Sequence, residues 1–414
     1  MSANEETLVR VPGPVNAHSH AFHRILRGRT HEGTAGGAGD FWTWREQMYA
    51  AAERLDPAGY EQLATAVFAE MVVTGFTAVG EFHYLHHGPD GAPYPDHEME
   101  RALARAARAA GIRLVLLDTC YLSGGLDAAG NPLELNPTQR RFSDGDATGW
   151  VERHTALREA LAADEPATEA EGAGLVCLGA AIHSVRAVPV PALRVLAAAL
   201  APGEPLHVHL SEQPAENQSC WAAHGMSPTG LLAGQGLLGP HLSAVHATHL
   251  TEADIAALGG TGCSIVMCPT TEADLADGIG PARELADAGA TIALGTDQHA
   301  VVDPYLEMRA LEYGERLRTG IRGRFSPTEL ATASRAGGLR SLSLPDNDDH
   351  ILVNAHSLRT AGSRVAQLPL TATAADVHAV VINGVEVARN GIHTRLGDPA
   401  ALFLTFTHEH REFA

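Results

Sequence analysis

The stretch VNAHSH, residues 15–20, decides the fold of this 414-residue chain. It is a short apolar run that closes on His18 and His20, and in a β-strand residues i and i+2 point to the same face, so the two imidazoles project side by side. The same construction recurs along the chain, in FTAVGEFH (76–83), IRLVLLD (112–118), LVCLGAAIH (175–183), LHVHL (206–210), LSAVH (242–246), SIVMC (264–268) and TIALGTD (291–297). Between these runs lie Ala/Leu/Glu/Arg-rich stretches of helical character at 57–73, 98–110, 150–163, 189–200, 252–258 and 281–288, several opened by Pro or an acidic residue. Eight strand-helix repeats predict an α/β fold, a (β/α)8 barrel over residues 14–340. Such barrels open their active site at the C-terminal ends of the strands, and there the sequence places His18, His20, His83, Asp118, His183, His209, His246, Cys268 and Asp297. An open doubly wound sheet would instead gather function at one switch point.

Composition removes whole classes of chemistry. All 29 basic residues are arginine, so there is no lysine for a Schiff base, a phosphate loop or a carboxylated bridge between two metals. The net charge of −20, with no basic run longer than Arg140-Arg141, argues against a nucleic-acid partner, and none is expected. No segment approaches the ~20 apolar residues of a membrane span, and the N-terminus is polar and acidic, so a cytoplasmic protein without membrane association is expected. The five cysteines form no C-x-x-C pair and read as reduced thiols. The 23 histidines are the positive signal, because several fall in clusters at strand ends.

Outside the eight runs, residues 28–40 and 124–149 read as Gly-rich loops over the barrel mouth, candidates for lids or substrate loops. The first precedes the aromatic segment FWTWR (41–45). Residues 343–354 read as a polar connection, and 377–394 as a hairpin turning at Asn383-Gly384. Together residues 1–13 and 341–414 make a small β appendage. His86-His87, His97-Glu98 and His408-Glu409-His410 read as surface histidines or incidental ion binders.

Four histidines (His18, His20, His209, His246) and Asp297 converge on one rim, and imidazole plus carboxylate without thiolate suits Zn²⁺, with Fe²⁺ or Mn²⁺ as alternatives. A metal of this kind brings the pKa of water to roughly 7 and so supplies a nucleophile for attack on an electrophilic carbon. A departing group then needs a proton, a task for a carboxylic acid such as Glu212, three residues beyond His209. Asp297 is placed to ligate the metal and take the water's proton, and His246 to orient the nucleophile and stabilise developing charge.

At this point the chain resembles the amidohydrolase superfamily, whose barrels carry H-x-H on strand one, a histidine on each of strands five and six, and an aspartate on strand eight. More narrowly it is similar to the formimidoylglutamate deiminase family, through VNAHSHAFHR (15–24), FWTWREQMY (41–49), EFHYLHH (81–87), IHSVRAV (182–188), HVHLSEQ (207–213), VHATH (245–249), TEADLADGI (271–279) and GTDQH (295–299). The resemblance implies one Zn²⁺ per chain held by His18, His20, His209 and Asp297, with Glu212, His246 and Asp297 catalytic. It implies hydrolysis of N-formimidoyl-L-glutamate to N-formyl-L-glutamate and ammonia in histidine degradation, by a homodimer. It also assigns a carboxylate-bearing substrate to His23, Arg45, Tyr84, His183 and Arg186. Family members often carry Gln where this chain has His23, and the chain ends are trimmed relative to the family's β domain. Those departures keep open an alternative, the same machinery acting on a different amidine, formimidoyl or aminoheterocyclic substrate in specialised metabolism.

Overall fold

The computed structural model of the chain describes residues 7–30, 41–168, 172 and 174–413. Its first strand, β1 (Leu8–Pro12), belongs to the appendage. The barrel strands are β2 (Val15–Ser19), β3 (Ala78–His83), β4 (Arg113–Cys120), β7 (Val176–Ile182), β8 (Leu206–Leu210), β9 (Leu242–His246), β10 (Ser264–Met267) and β11 (Thr291–Leu294), with a two-residue ribbon, β5 (Gly125–Leu126) and β6 (Pro132–Leu133), between β4 and β7. The eight barrel strands lie in sequence order and every pairing is parallel. The first and last strands meet where the working residues stand. Thr296 and Asp297 donate their backbone N–H groups to the His18 carbonyl at 3.1 and 3.0 Å, and His20 N–H donates to the Asp297 carbonyl at 3.1 Å. The result is a nearly closed (β/α)8 barrel.

Parallel strands are covered on both faces, which is why β2, β3, β8, β9 and β10 are buried at every position. The helices around them start on side-chain caps. Asp56, Asp146, Thr251 and Asp303 each accept from backbone N–H groups in the first turn, satisfying donors that the helix itself leaves free. Gly75, at φ 116°, ends the helix Pro57–Thr74 in a conformation that a side chain resists.

The appendage is a five-stranded antiparallel sheet in the order β1, β12 (His350–Asn354), β13 (Val377–Ile382), β14 (Val385–Arg389) and β15 (Ile392–His393). Asn383 (φ 50°) and Gly384 (φ 72°) form the expected turn. Three readings of local sequence need correction. The end of the 343–354 connection is strand β12, because Ile351 and Val353 alternate into the core between β1 and β13. The aromatic segment around Arg45 is a helix, Phe41–Arg54, whose Trp44, Met48, Ala51 and Ala52 are buried at helical spacing. His86 and His87 are not surface histidines; both are buried, 2% and 4% exposed. Of the loop read at 28–40, residues 31–40 lie outside the described residues. Among the described residues no helix is long and apolar enough to cross a membrane.

Candidate active site

β2, β8 and the turn after β11 bring four ligand atoms to one point. His209 Nε2 lies 3.3 Å from His18 Nε2 and 3.3 Å from His20 Nε2, and Asp297 Oδ1 lies 3.3 Å from His18 Nε2 and 3.4 Å from His20 Nε2. Bonds of ~2.0–2.1 Å arranged tetrahedrally around one ion put their donor atoms ~3.3 Å apart, so the set has zinc-like spacing. The hydrogen bonding on the far side of the rings agrees. His20 Nδ1–H donates to the Phe82 carbonyl at 2.8 Å and His209 Nδ1–H to the His183 carbonyl at 2.9 Å. A carbonyl only accepts, so both Nε2 atoms carry lone pairs and face each other without a proton between them. Burial pushes His18, His20 and His209 below the usual histidine range, which keeps them neutral. Clustered lone pairs beside a carboxylate are the donor set of a cation, and His18, His20, His209 and Asp297 fit a single divalent ion.

His246 and Glu212 stand next to this centre. His246 Nε2 is 3.7 Å from Glu212 Oε1 and 4.0 Å from Asp297 Oδ2, and its Nδ1 is 3.5 Å from Glu272 Oε1. Burial would lower His246, but the surrounding carboxylates Glu212, Glu272 and Asp297 outweigh it and raise it to about 10, which favours the imidazolium. Burial raises the Glu212 carboxyl to about 7. Burial also opposes ionisation of Asp297, yet its contacts with His18 and His246 outweigh that and hold the carboxyl below its ordinary value. The site therefore combines an ionised carboxylate, an imidazolium and a carboxyl poised near neutrality. Ser211 (φ 51°), His246 (φ 67°) and Asp297 (φ 45°) all adopt left-handed backbone, a strained conformation for residues with side chains and one that clusters at working sites.

A cavity extends from this centre and is lined by all five residues assigned to substrate, His23, Arg45, Tyr84, His183 and Arg186, together with His20, His209, Glu212, His246 and Asp297. His23 Nε2 lies 2.9 Å from the Tyr84 hydroxyl. Arg186 Nε lies 3.9 Å from Glu216, a carboxylate buried in the first turn of the helix Pro214–His224. Gly124, Gly125 and Phe142, from the stretch read as a lid at 124–149, line the same cavity.

Not every strand end points inward. His83 and Asp118 turn outward toward the helices, where Asp118 accepts from Arg153 and His154 at 2.7 and 2.8 Å. Conversely, Trp44, Tyr49 and Tyr121 line the cavity, and from the segment after β10 Glu272 stands beside His246 and Asp277 faces Glu212, five residues that the sequence reading does not single out. The run of three acids in TEADLADGI was the available signal for the last two.

Comparison with known proteins places these features in a lineage. A model of the amidohydrolase family matches residues 9–353. Formimidoylglutamate deiminase of Pseudomonas aeruginosa is 38% identical over 344 residues, which is 81% of this chain and 72% of that protein. A 5-methylthioadenosine/S-adenosylhomocysteine deaminase of Pelotomaculum thermopropionicum is 27% identical over 396 residues, 91% of this chain and 80% of that protein. Among solved structures, an amidohydrolase from Brucella melitensis superposes with a TM-score of 0.86 at 30% identity, covering 97% of this chain and 89% of that one. The chain belongs to the amidohydrolase family and is a metal-dependent hydrolase of carbon–nitrogen bonds.

Proposed function

We propose that this enzyme hydrolyses N-formimidoyl-L-glutamate to N-formyl-L-glutamate and ammonia. One observation carries the reading: a single cavity joins the His/Asp centre and Glu212 to two arginines, Arg45 and Arg186, in a chain with no lysine. A substrate with two carboxylates needs cationic forks, and guanidinium groups supply them. The 38% identity to a formimidoylglutamate deiminase supports the same assignment.

His18, His20, His209 and Asp297 would hold one Zn²⁺, or Fe²⁺ or Mn²⁺ in its place. When bound, such an ion supplies Lewis-acid activation of water near neutral pH. The protein's own groups do the rest. Water attacks the formimidoyl carbon and gives its proton to Asp297. The His246 cation stabilises charge growing on the reacting centre. Glu212, its carboxyl raised to about 7 by burial, delivers one proton to the terminal nitrogen, and Asp297 passes on the proton it took from water, so that the nitrogen becomes a neutral leaving group; as the carbon–nitrogen bond breaks, ammonia leaves, the hydroxyl proton returns to Glu212, and the formyl group remains on the substrate nitrogen. Arg186 and Arg45 bind the carboxylates, and Tyr84, His183 and His23 orient the formimidoyl end.

In this reading the enzyme works as a cytoplasmic homodimer, which sedimentation of the purified protein tests. Ammonia release from N-formimidoyl-L-glutamate, set against a panel of other amidines and aminoheterocycles, tests the substrate. Turnover of another compound with none of formimidoylglutamate would replace the first reading with a second, the same chemistry on a different amidine. His23, placed where relatives often carry Gln, is the observation that favours that second reading.

A further inference from the structure

A second group of buried histidines stands outside the catalytic centre, between the loop after β3 and the helix Ala147–Ala163. Both ring nitrogens of His83, both of His86 and Nδ1 of His87 are buried and have no hydrogen-bond partner among the described residues. Buried polar atoms normally have a partner, so their concentration in one place marks a candidate set of ligand atoms. The nearest acceptors stand off: His83 Nε2 is 3.9 Å from Glu100, His86 Nε2 is 3.9 Å from Asp118, and His87 Nε2 is 3.6 Å from Asp144. These separations exceed hydrogen-bond reach. The one pair inside a common cluster, His87 Nε2 and Asp144 Oδ1 at 3.6 Å, has the spacing of two ligands on one ion.

Acidic and basic groups interleave around this cluster. Arg153 serves Asp144, Asp118 and Glu100, His154 bridges Asp118 and Glu204, and Arg158 pairs with Glu204. Three positive groups thus face four acids, of which burial raises Glu100 to about 7, while the buried Arg141 guanidinium donates to the His87 carbonyl at 2.9 Å. Burial keeps the His83, His86 and His87 rings below the ordinary histidine range, so their nitrogens offer lone pairs. One ligand atom each from His86, His87 and Asp144 lies within 4.8 Å of the others. The backbone fixes this arrangement, since His86 and His87 N–H both donate to the Arg141 carbonyl, at 3.2 and 3.0 Å. An entry path exists, because His87, Asp144 and Arg153 line a cavity open to the surface.

We propose that His86, His87 and Asp144 form a second, non-catalytic site for a divalent metal ion of the zinc class, which clasps the loop carrying Tyr84 to the segment carrying Phe142. The rings of Tyr84 and Phe142 touch, 4.9 Å between centroids, and both line the substrate cavity, so the clasp sets the wall of that cavity. The Arg153 guanidinium, 2.6 Å from Asp144, weakens the attraction, and this ion is released before the one in the catalytic centre.

Equilibrium dialysis of the full chain against micromolar zinc tests the site. The expected result is two zinc ions per chain, falling to one in His87→Asn and in Asp144→Asn. Anomalous diffraction at the zinc edge on the unaltered protein gives a readout that needs no variant, with one peak among His18, His20 and His209 and a second among His86, His87 and Asp144. One zinc per chain, a second peak elsewhere, or two ions retained by both variants overturns the proposal. The outcome is independent of which substrate the enzyme turns over.

Discussion

Arg186 offers the sharpest test of the substrate reading, because its surroundings separate binding from stability. The guanidinium lines the substrate cavity, and behind it, at 3.9 Å, lies Glu216, a carboxylate only 1% exposed. Arg186→Met removes two charge-assisted hydrogen bonds to a substrate carboxylate, worth together about 3–4 kcal/mol. At ~1.4 kcal/mol per decade, kcat/KM falls by about 10² to 10³. The same change leaves Glu216 buried without its nearest cation, a destabilisation of about 3 kcal/mol. Adding Glu216→Gln removes that stranded charge, so the double variant regains most of the stability while its kcat/KM stays low. The assay is steady-state ammonia release from N-formimidoyl-L-glutamate alongside denaturant unfolding of both variants. Recovery of activity in the double variant, or a loss below tenfold in Arg186→Met, would falsify the assignment of a substrate carboxylate to Arg186.

Three further outcomes follow from the geometry. Glu212→Gln keeps its shape but holds no proton to give, so kcat drops by about 10² to 10⁴ while zinc content, read by atomic emission, stays at the wild-type level. An ideal Cβ on Gly295 would lie 2.8 Å from His18 Cβ and 2.9 Å from the His18 carbonyl; Gly295→Ala therefore displaces a metal ligand, and zinc affinity in a competition titration weakens by at least tenfold. His154 donates to Asp118 and Glu204 at 2.8 Å each, and although burial would lower it, these bonds raise it above its ordinary 6.5. A raised folded-state value means stability that is complete below 6.5 and lost as pH rises through the elevated value. The stability gap between wild type and His154→Gln, ~3 kcal/mol at pH 6, accordingly narrows at pH 9 in urea titrations, and a gap that widens would contradict the ion-pair account.

Periodicity and ligand chemistry were legible along the chain. Each of the eight apolar runs became a barrel strand because a parallel strand buried on both faces has to be apolar, and an ionisable residue at its end stands out against that background. His18 and His20 share a face by the period of the strand alone, and the absence of lysine is a property of composition that no fold can alter. Helix starts were equally local, fixed by residues such as Asp56 and Thr251 beside the backbone groups they cap.

What the linear order left open is what depends on distance. His83 and Asp118 end strands just as His209 and Asp297 do, yet the first pair faces Arg153 and the helices while the second faces the cavity, a choice made by how each chain leaves its strand. The left-handed turns at Ser211, His246 and Asp297 that aim the side chains carry no glycine to announce them. The pairing of Arg186 with Glu216, of His246 with Glu272, and of His86 and His87 with Asp144 joins residues from separate segments, and their charges acquire meaning only at a few ångströms in a medium without water. Sequence determined which chemical groups this protein has and the barrel that carries them. Tertiary structure decided which of those groups face one another, because electrostatic and coordination energies fall away within the width of a single side chain.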